Sequence, residues 1–400
     1  MKKKNGLLAL HGGEPVRETY LPYGKQWIND DDMNAVMNVL KSDYITTGPT
    51  IKRFEDAVAD FVGAKYAVAF SSGTAALHAA CYAAGIEQDD EVITSPMTFA
   101  ATSNCVLYVG GTPVFADIDP NTYTISPASI KPLMTAKTKA IISVDYTGRP
   151  AAYDEIMSLA KQNGLTVIGD AAHSLGAVYK ENYVGSICDM TMFSFHPVKH
   201  ITTGEGGMIT TNNQRYYEKL IQFRSHGITR DPQKLGKTEG PWYYEMQELG
   251  FNYRMTDIQA ALGLNQLRKV NQFIEKRRKY VDLYYKGFQG VPEITVPYRQ
   301  GNCSSSWHLF VIRLNLEKLT AGRKEIFAAL QKENIGVNVH YIPVYFHPYY
   351  QRIGYNKGIC PVSEKLYEEI ITLPLFPAMT GNDVMDVVNA VKKVISHYSE

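Results

Sequence analysis

Tyr66-Ala67-Val68-Ala69-Phe70-Ser71-Ser72-Gly73-Thr74-Ala75-Ala76-Leu77-His78 holds a short apolar run, a polar turn and the start of an alanine-rich stretch that continues to about Ala84. An uninterrupted apolar run of this length suits a strand covered on both faces, and the alanines after the turn suit a helix. The same alternation recurs downstream. Strands are predicted at Glu91 to Thr94, Pro113 to Ala116, Ala140 to Val144, Leu165 to Ile168 and Met190 to Phe195, with helices at Phe99 to Tyr108 and Tyr153 to Gln162. Short strands separated by helices build a mostly parallel sheet covered on both faces, an α/β architecture whose ligand sites lie at the carboxyl ends of the strands.

Upstream, Met33, Val36, Met37 and Leu40 recur at helical spacing behind an acidic first turn, which predicts a helix over Asp30 to Leu40. Downstream, Thr256-Asp257-Ile258-Gln259 reads as a capping box opening a long helix that runs to roughly Tyr285. Beyond it come a strand at Trp307 to Leu314, a helix at Arg323 to Glu333, a strand at Val337 to His340 and a last helix from about Asp383 to Tyr398. The expected organisation is an N-terminal segment with a large domain over residues 1–265, then a connecting helix and a small α+β domain over residues 266–400.

Composition narrows the function. The chain has 400 residues, 45% hydrophobic and 20% charged, with 41 Lys+Arg against 40 Asp+Glu. Disordered and fibrous classes are excluded, and no global positive field would draw the chain to nucleic acid. The cysteines, Cys81, Cys105, Cys188, Cys303 and Cys360, are odd in number and never in a C-x-x-C pair, which argues against a disulfide framework or a thiolate zinc site. Lys2-Lys3-Lys4 precedes only the short run Leu7 to Leu10, too little for a signal peptide, and no stretch approaches the ~20 apolar residues of a membrane span. A cytoplasmic enzyme without a membrane anchor is expected.

Three features carry chemistry. Ser71-Ser72-Gly73-Thr74 sits between strand and helix, where free amides and a glycine can cradle a phosphate, or where a serine simply caps the helix. Asp170 ends an apolar strand; alone it could be a cap or half of an ion pair. Lys199, in Ser194-Phe195-His196-Pro197-Val198-Lys199, has apolar neighbours and is followed by the glycine-rich run Thr202 to Gly207. A lysine desolvated in this way is suited to Schiff-base chemistry. A strand-end aspartate nearby would then keep a pyridine nitrogen protonated, making the ring an electron sink. Other nucleotide motifs fail: Gly204-Glu205-Gly206-Gly207 lacks the third glycine of a dinucleotide loop, and Gly236-Lys237-Thr238 has Asp231 where a P-loop needs glycine. His196 and His200 are spaced like metal ligands, but Pro197 intervenes and no third ligand is apparent, so no metal is expected.

Phosphate cup, acid and lysine in this order make one pyridoxal phosphate (PLP) site, and with it the chain resembles the DegT/DnrJ/EryC1/StrS family of sugar aminotransferases, fold-type I PLP enzymes. The resemblance runs from about Tyr20 to the C-terminal helix. Its segments are Ile45 to Pro49, Ser72 to His78, Gly169 to His173, Ser194 to Gly207 and Gly250 to Met255. It implies that Lys199 carries the cofactor covalently and that Asp170 bonds the pyridinium. Ser72, Gly73, Thr74 and Ser194 would surround the phosphate, and His173 would lie beside the phenolic oxygen. Phe99, otherwise a helix-core residue, would stack on the ring. Asn252, otherwise a loop residue before the capping box, would reach the phosphate of a neighbouring subunit in a homodimer with shared active sites. Tyr23, the segment Asp43, Tyr44, Ile45 and Thr46, and the segment His340, Tyr341, Ile342 and Pro343 look like walls of the sugar-nucleotide pocket. Dehydratase relatives carry histidine where this chain has Lys199, which favours transamination.

The resemblance therefore implies transfer of an amino group from L-glutamate to C4 of a nucleotide-linked 4-keto-6-deoxy sugar, with pyridoxamine 5′-phosphate (PMP) formed during turnover. Segments Ser194 to Gly207, Pro241 to Asn252 and Val339 to Pro343 suggest the subgroup of the pseudaminic acid pathway, acting on a UDP-linked 2-acetamido sugar. Two other readings are kept: a catalytically silent PLP-binding sensor, and another fold-type I enzyme such as a desulfurase or decarboxylase. No DNA-binding segment supports the first, and no cysteine stands in a reactive setting for a desulfurase.

Overall fold

Two helices, Asp30–Leu40 (α1) and Pro49–Val62 (α2), precede the strand Tyr66–Phe70 (β1), which turns at Ser71 and Ser72 into Gly73–Ala83 (α3). The computed structural model describes residues 7–299 and 301–399, so Lys2, Lys3 and Lys4 lie outside the described residues. The strands Glu91–Thr94 (β2), Thr112–Phe115 (β3), Thr138–Val144 (β4), Thr166–Asp170 (β5) and Met190–Ser194 (β6) follow, with Ala101–Tyr108 (α4) between β2 and β3. A seventh strand, Gly207–Thr211 (β7), escaped the sequence reading because two of its five residues are threonines and it sits behind a glycine-rich lead. The sheet order is β1-β7-β6-β5-β4-β2-β3. Strand β7 runs antiparallel to both neighbours, and the other pairs are parallel.

Successive residues of the central strands enter different cores, as a sheet buried on both faces requires. Ile141 and Val167 join Phe54, Val58 and Phe193 on one face, while Ile142 and Ile168 join Val68, Phe70 and Ile209 on the other. A separate cluster fills the C-terminal part, where Phe310–Leu314 pairs antiparallel with Ile294–Thr295 and with Ile370–Leu373 beneath the helix Gly381–Tyr398. Leu8 and Leu21 from the N-terminal segment pack into this second cluster.

Two local expectations are corrected, and the orientation of α1 is new. The capping box at Thr256 and Gln259 is formed, but the helix it opens ends at Leu267, and a second helix starts at Val270. At the break Arg268 and Lys269 form a turn, and Lys269 joins Gln266 in bonding Asp32, at 2.5 and 2.8 Å. The strand predicted at Val337 to His340 reduces to one bridge, Asn338 to Thr372, because the Asn338 carboxamide takes the Val339 N–H. Finally, the apolar stripe that identifies α1 faces outward: Met33 is 55% exposed, Met37 48% and Leu40 51%, while Asp32 is fully buried. Burial alone would raise the Asp32 pKa, but Lys269, Asn265, the Asn29 N–H and Gln266 outweigh it and hold the carboxyl low. Removing Lys269 would leave a buried unpaired charge, at a cost of about 3–5 kcal/mol.

Candidate active site

The carboxyl ends of β5 and β6, the amino end of α3 and the segment Asn338 to Tyr341 enclose a cavity of about 560 Å³. Asp170 is the last residue of β5 and is buried. Its Oδ2 accepts from the Thr102 hydroxyl at 2.6 Å and its Oδ1 from the Ala172 N–H at 3.2 Å. Thr102 in turn shares a 2.6 Å hydroxyl bond with Thr98. Burial raises the Asp170 pKa, partly offset by these donors and by Lys199. A carboxylate kept this dry is stabilised by a cation brought to it.

Lys199 lies on the loop between β6 and β7. That loop is tied by Lys199 N–H to His196 O, Thr203 N–H to Phe195 O and the Thr202 hydroxyl to Phe195 O. Part of its surface opens to the cavity. Burial lowers its pKa to about 8 against the pull of Asp170, so a substantial neutral fraction is present near neutrality and the amine can act as a nucleophile.

The cup is built by close backbone approach. Strand β7 begins at Gly207, opposite both Phe70 and Ser194. A Cβ on Gly207 would fall 2.5 Å from Ser72 O and 2.7 Å from the Gly73 Cα, so only glycine lets the turn close there. Ser72 spends its side chain as the N-cap, accepting from Ala75 N–H at 3.1 Å; the capping role weighed in the sequence is the one its hydroxyl performs. The amides of Gly73 and Thr74 belong to the first turn, ahead of any intrahelical acceptor. A Cβ on Gly73 would meet Ser194 Cβ at 3.3 Å, so the space above Ser194 is held open by the missing side chain.

The cavity thus brings together Tyr23, Ser72, Gly73, Thr74, Phe99, Asp170, His173, Ser194, Lys199, His340 and Tyr341. Phe99 is no core residue: it is 64% exposed, just before α4. Asp43, Tyr44, Ile45 and Thr46 lie on the exterior, where Ile45 O accepts from Asp257 N–H and Thr46 bridges Thr256. Asn252 is exposed, bridged to Ser225 and outside the cavity. Ile342 is exposed and Pro343 buried, neither of them lining it. Of the rejected metal pair, His200 is buried on Ser306 O at 3.0 Å while His196 is exposed. Among the described residues no group of three or more His, Cys, Asp or Glu could hold a metal, and no helix is long and apolar enough to cross a membrane.

Sequence reasoning missed Thr102, Asn338 and His308. The Thr98/Thr102 spacing on the approach to α4 was a usable signal. Asn338, which bonds the Tyr23 hydroxyl, and His308, whose ring lies 4.4 Å from that of His173, reach the site from distant segments and gave none.

A nucleophilic lysine, a dry strand-end carboxylate and an open cup at a helix amino terminus, set at the carboxyl edge of this sheet, define a fold-type I PLP transferase. The comparisons with known proteins agree. A model of the DegT/DnrJ/EryC1/StrS aminotransferase family matches residues 26–392, and the chain belongs to that family. It is 40% identical over 95% of its length to the spore coat polysaccharide biosynthesis protein SpsC of Bacillus subtilis, covering 98% of that protein. Among solved structures it matches Helicobacter pylori PseC, an aminotransferase involved in the biosynthesis of pseudoaminic acid, with TM-score 0.89, 33% identity and coverage of 95% of this chain and 100% of that one. It also matches the Streptococcus pneumoniae sugar aminotransferase Spr1654 in its PLP form (TM-score 0.88, covering 94% and 99%) and PMP form (0.89, 94% and 98%), each at 30% identity. The chain is therefore a PLP-dependent sugar aminotransferase. The bound cofactor supplies an electron sink for the substrate's α-carbon electrons.

Proposed function

We propose that this enzyme moves an amino group from L-glutamate to C4 of a nucleotide-linked 4-keto-6-deoxy sugar, most specifically a UDP-2-acetamido-2,6-dideoxy-hexos-4-ulose. The product would be UDP-4-amino-4,6-dideoxy-N-acetyl-β-L-altrosamine, for nonulosonic acid or surface polysaccharide synthesis. One observation carries the reading: Lys199, with its pKa lowered to about 8, shares a single cavity with buried Asp170. The likeness to PseC and to SpsC supports the sugar class, since both names place those proteins in sugar or polysaccharide synthesis.

In this reading Lys199 holds the cofactor and, once displaced by the donor, carries a proton between the donor α-carbon and the cofactor, as base and then acid. Asp170 keeps the ring nitrogen protonated. The cup of Gly73, Thr74 and Ser194 would hold the phosphate, and Phe99 would lie against the ring. Tyr23, Asn338 and His340 form the outer wall for the sugar: the Tyr23 and His340 rings lie 5.3 Å apart and His340 Nδ1 is bonded to the Thr372 hydroxyl at 2.9 Å.

In this reading the enzyme is a cytoplasmic homodimer with shared sites. Asp43 to Thr46, with exposed Tyr44 and Ile45, is tied to Thr256, and Asn252, four residues before Thr256, is exposed as well. These residues would complete the pocket of a second copy. A screen of UDP- and dTDP-linked 4-ketosugars with L-glutamate, read by mass spectrometry and NMR of the product, tests the proposal. Amination at C4 of the UDP-2-acetamido substrate is expected. Turnover of dTDP-sugars alone, or an amine at C3, would overturn the substrate assignment.

A further inference from the structure

Tyr341 was read in the sequence as a pocket wall, but its hydroxyl lies 3.0 Å from His173 Nε2, with the two rings stacked 5.9 Å apart. His173 is buried, and its other nitrogen, Nδ1, has no partner. Its face is covered by His308 at 4.4 Å, and its carbonyl is fixed by the Ser306 hydroxyl at 3.0 Å. The ring therefore has one usable hydrogen bond, and the direction of that bond decides where the phenol's proton goes.

A neutral imidazole carries its proton on one nitrogen only. A proton on Nδ1 would strand a buried N–H donor, the costlier kind of orphan, whereas an unused lone pair there costs less. The proton therefore belongs on Nε2, which donates to the Tyr341 oxygen. The phenol's own hydrogen is then free for an acceptor in the cavity.

We infer that His173 and Tyr341 form a directed pair in which Nε2–H donates to the Tyr341 oxygen and the Tyr341 O–H donates to the phenolic oxygen of the bound cofactor. The charge state fits this. Burial, Lys199, His340 and His200 all hold His173 well below its ordinary pKa, so it stays neutral. Burial first, then Asp170 and Tyr23, push the Tyr341 phenol far up, so it keeps its proton. With Asp170 at the ring nitrogen and Lys199 at the aldehyde, the cofactor's remaining ring oxygen is the acceptor left for this pair. The inference rests on the PLP site described above and not on the identity of the sugar.

Two readouts avoid the sugar altogether. In the cofactor-free wild-type protein, ¹⁵N spectra of labelled histidines should show His173 neutral with its proton on Nε2; a proton on Nδ1 overturns the pair. In the PLP-loaded protein, Tyr341→Phe keeps the ring and removes only the hydroxyl. It should shift the midpoint of the cofactor's absorbance-pH titration by roughly one unit, and slow the glutamate half-reaction about five- to tenfold, the worth of one buried hydrogen bond. A Tyr341 that is only a wall would leave both unchanged, and that result overturns the assignment. Slowing confined to the ketosugar half-reaction with no absorbance shift also overturns it, since the acceptor would then be on the sugar. Failure of every 4-ketosugar in the substrate screen would sink the proposed function while leaving these two readouts intact.

Discussion

Around Lys199 the buried polar groups are held by contacts within the same chain: Thr102 and Ala172 hold Asp170, Tyr341 meets His173, and Gly207 lets the cup close. Along Asp43 to Thr46 and Asn252 the same chain presents exposed side chains outside that cavity. The exposed apolar stripe of α1, with Met33, Met37 and Leu40, and the exposed Trp242, Met246 and Leu249 add to this unfinished exterior. The contrast separates a cavity whose buried groups are positioned within one chain from an exposed face that, on this reading, reaches the pocket of a second copy.

The largest effect should come from confronting the two regions directly. Lys199→Ala should remove activity by at least about 10²–10⁴-fold, the usual worth of a positioned proton carrier, with the covalent attachment lost as well. Borohydride reduction of the wild type should fix the cofactor to the Lys199 peptide alone. An Asn252→Trp chain should also be inactive if it blocks a neighbour's cup. In a heterodimer of these two variants a shared site would gather both lesions in one pocket and leave the other intact, so about half the wild-type activity per heterodimer should return. No recovery on mixing would mean that Asn252 serves its own chain, and the contrast between inner and outer regions would collapse.

A smaller loss should follow a change confined to the inner region. In Asp170→Asn the new carbonyl oxygen can still accept from Ala172, and the new amide can donate to Thr102, whose hydroxyl turns its proton to Thr98. The fold should survive, with an unfolding midpoint close to that of wild type. Both half-reactions should slow by about 10²–10³-fold, because a preorganised charge beside the reacting system is worth that much. Stopped-flow absorbance would resolve each half-reaction separately; wild-type rates would refute the role given to Asp170.

Legibility in the sequence followed the same division. Strand-end and turn positions such as Asp170 and Gly73 stood out because the strand-turn-helix rhythm places them at one edge of a sheet, whereas Ser194 entered only through the family resemblance. Lys199 stood out by its apolar neighbours and the glycines after it. What stayed hidden depends on contacts between distant segments. No periodicity shows that Asp32 would be buried against Lys269, Asn265 and Gln266, which turns the α1 stripe outward. Nor does any local pattern place Tyr341 on His173 or His308 against its ring, since these residues approach from the C-terminal part of the chain. The capping box at Thr256 was readable from four residues, whereas the helix break at Lys269 needed knowledge of its remote partner.

The smallest effect concerns the charge of Lys199 itself, and it compares this amine with the lysines on the surface. Burial penalises the ammonium form, so the folded pKa is about 8 against an ordinary 10.5. Between those values the unfolded chain binds more protons than the folded one, so the penalty is fully present below about pH 8. It is relieved as pH rises toward 10.5, and over that window the cofactor-free protein gains stability from this group. Only the neutral amine attacks the PLP aldehyde. The rate of cofactor capture by the cofactor-free enzyme should therefore rise about tenfold per pH unit up to about 8 and level off above it. An exposed lysine would still be climbing there. Asp170→Asn removes the carboxylate that pulls the Lys199 pKa upward, so the levelling point in that variant should move to lower pH. A profile rising without a break to pH 10 would show that Lys199 is solvated like a surface lysine, and the distinction between a dry interior and a wet exterior would lose its chemical meaning.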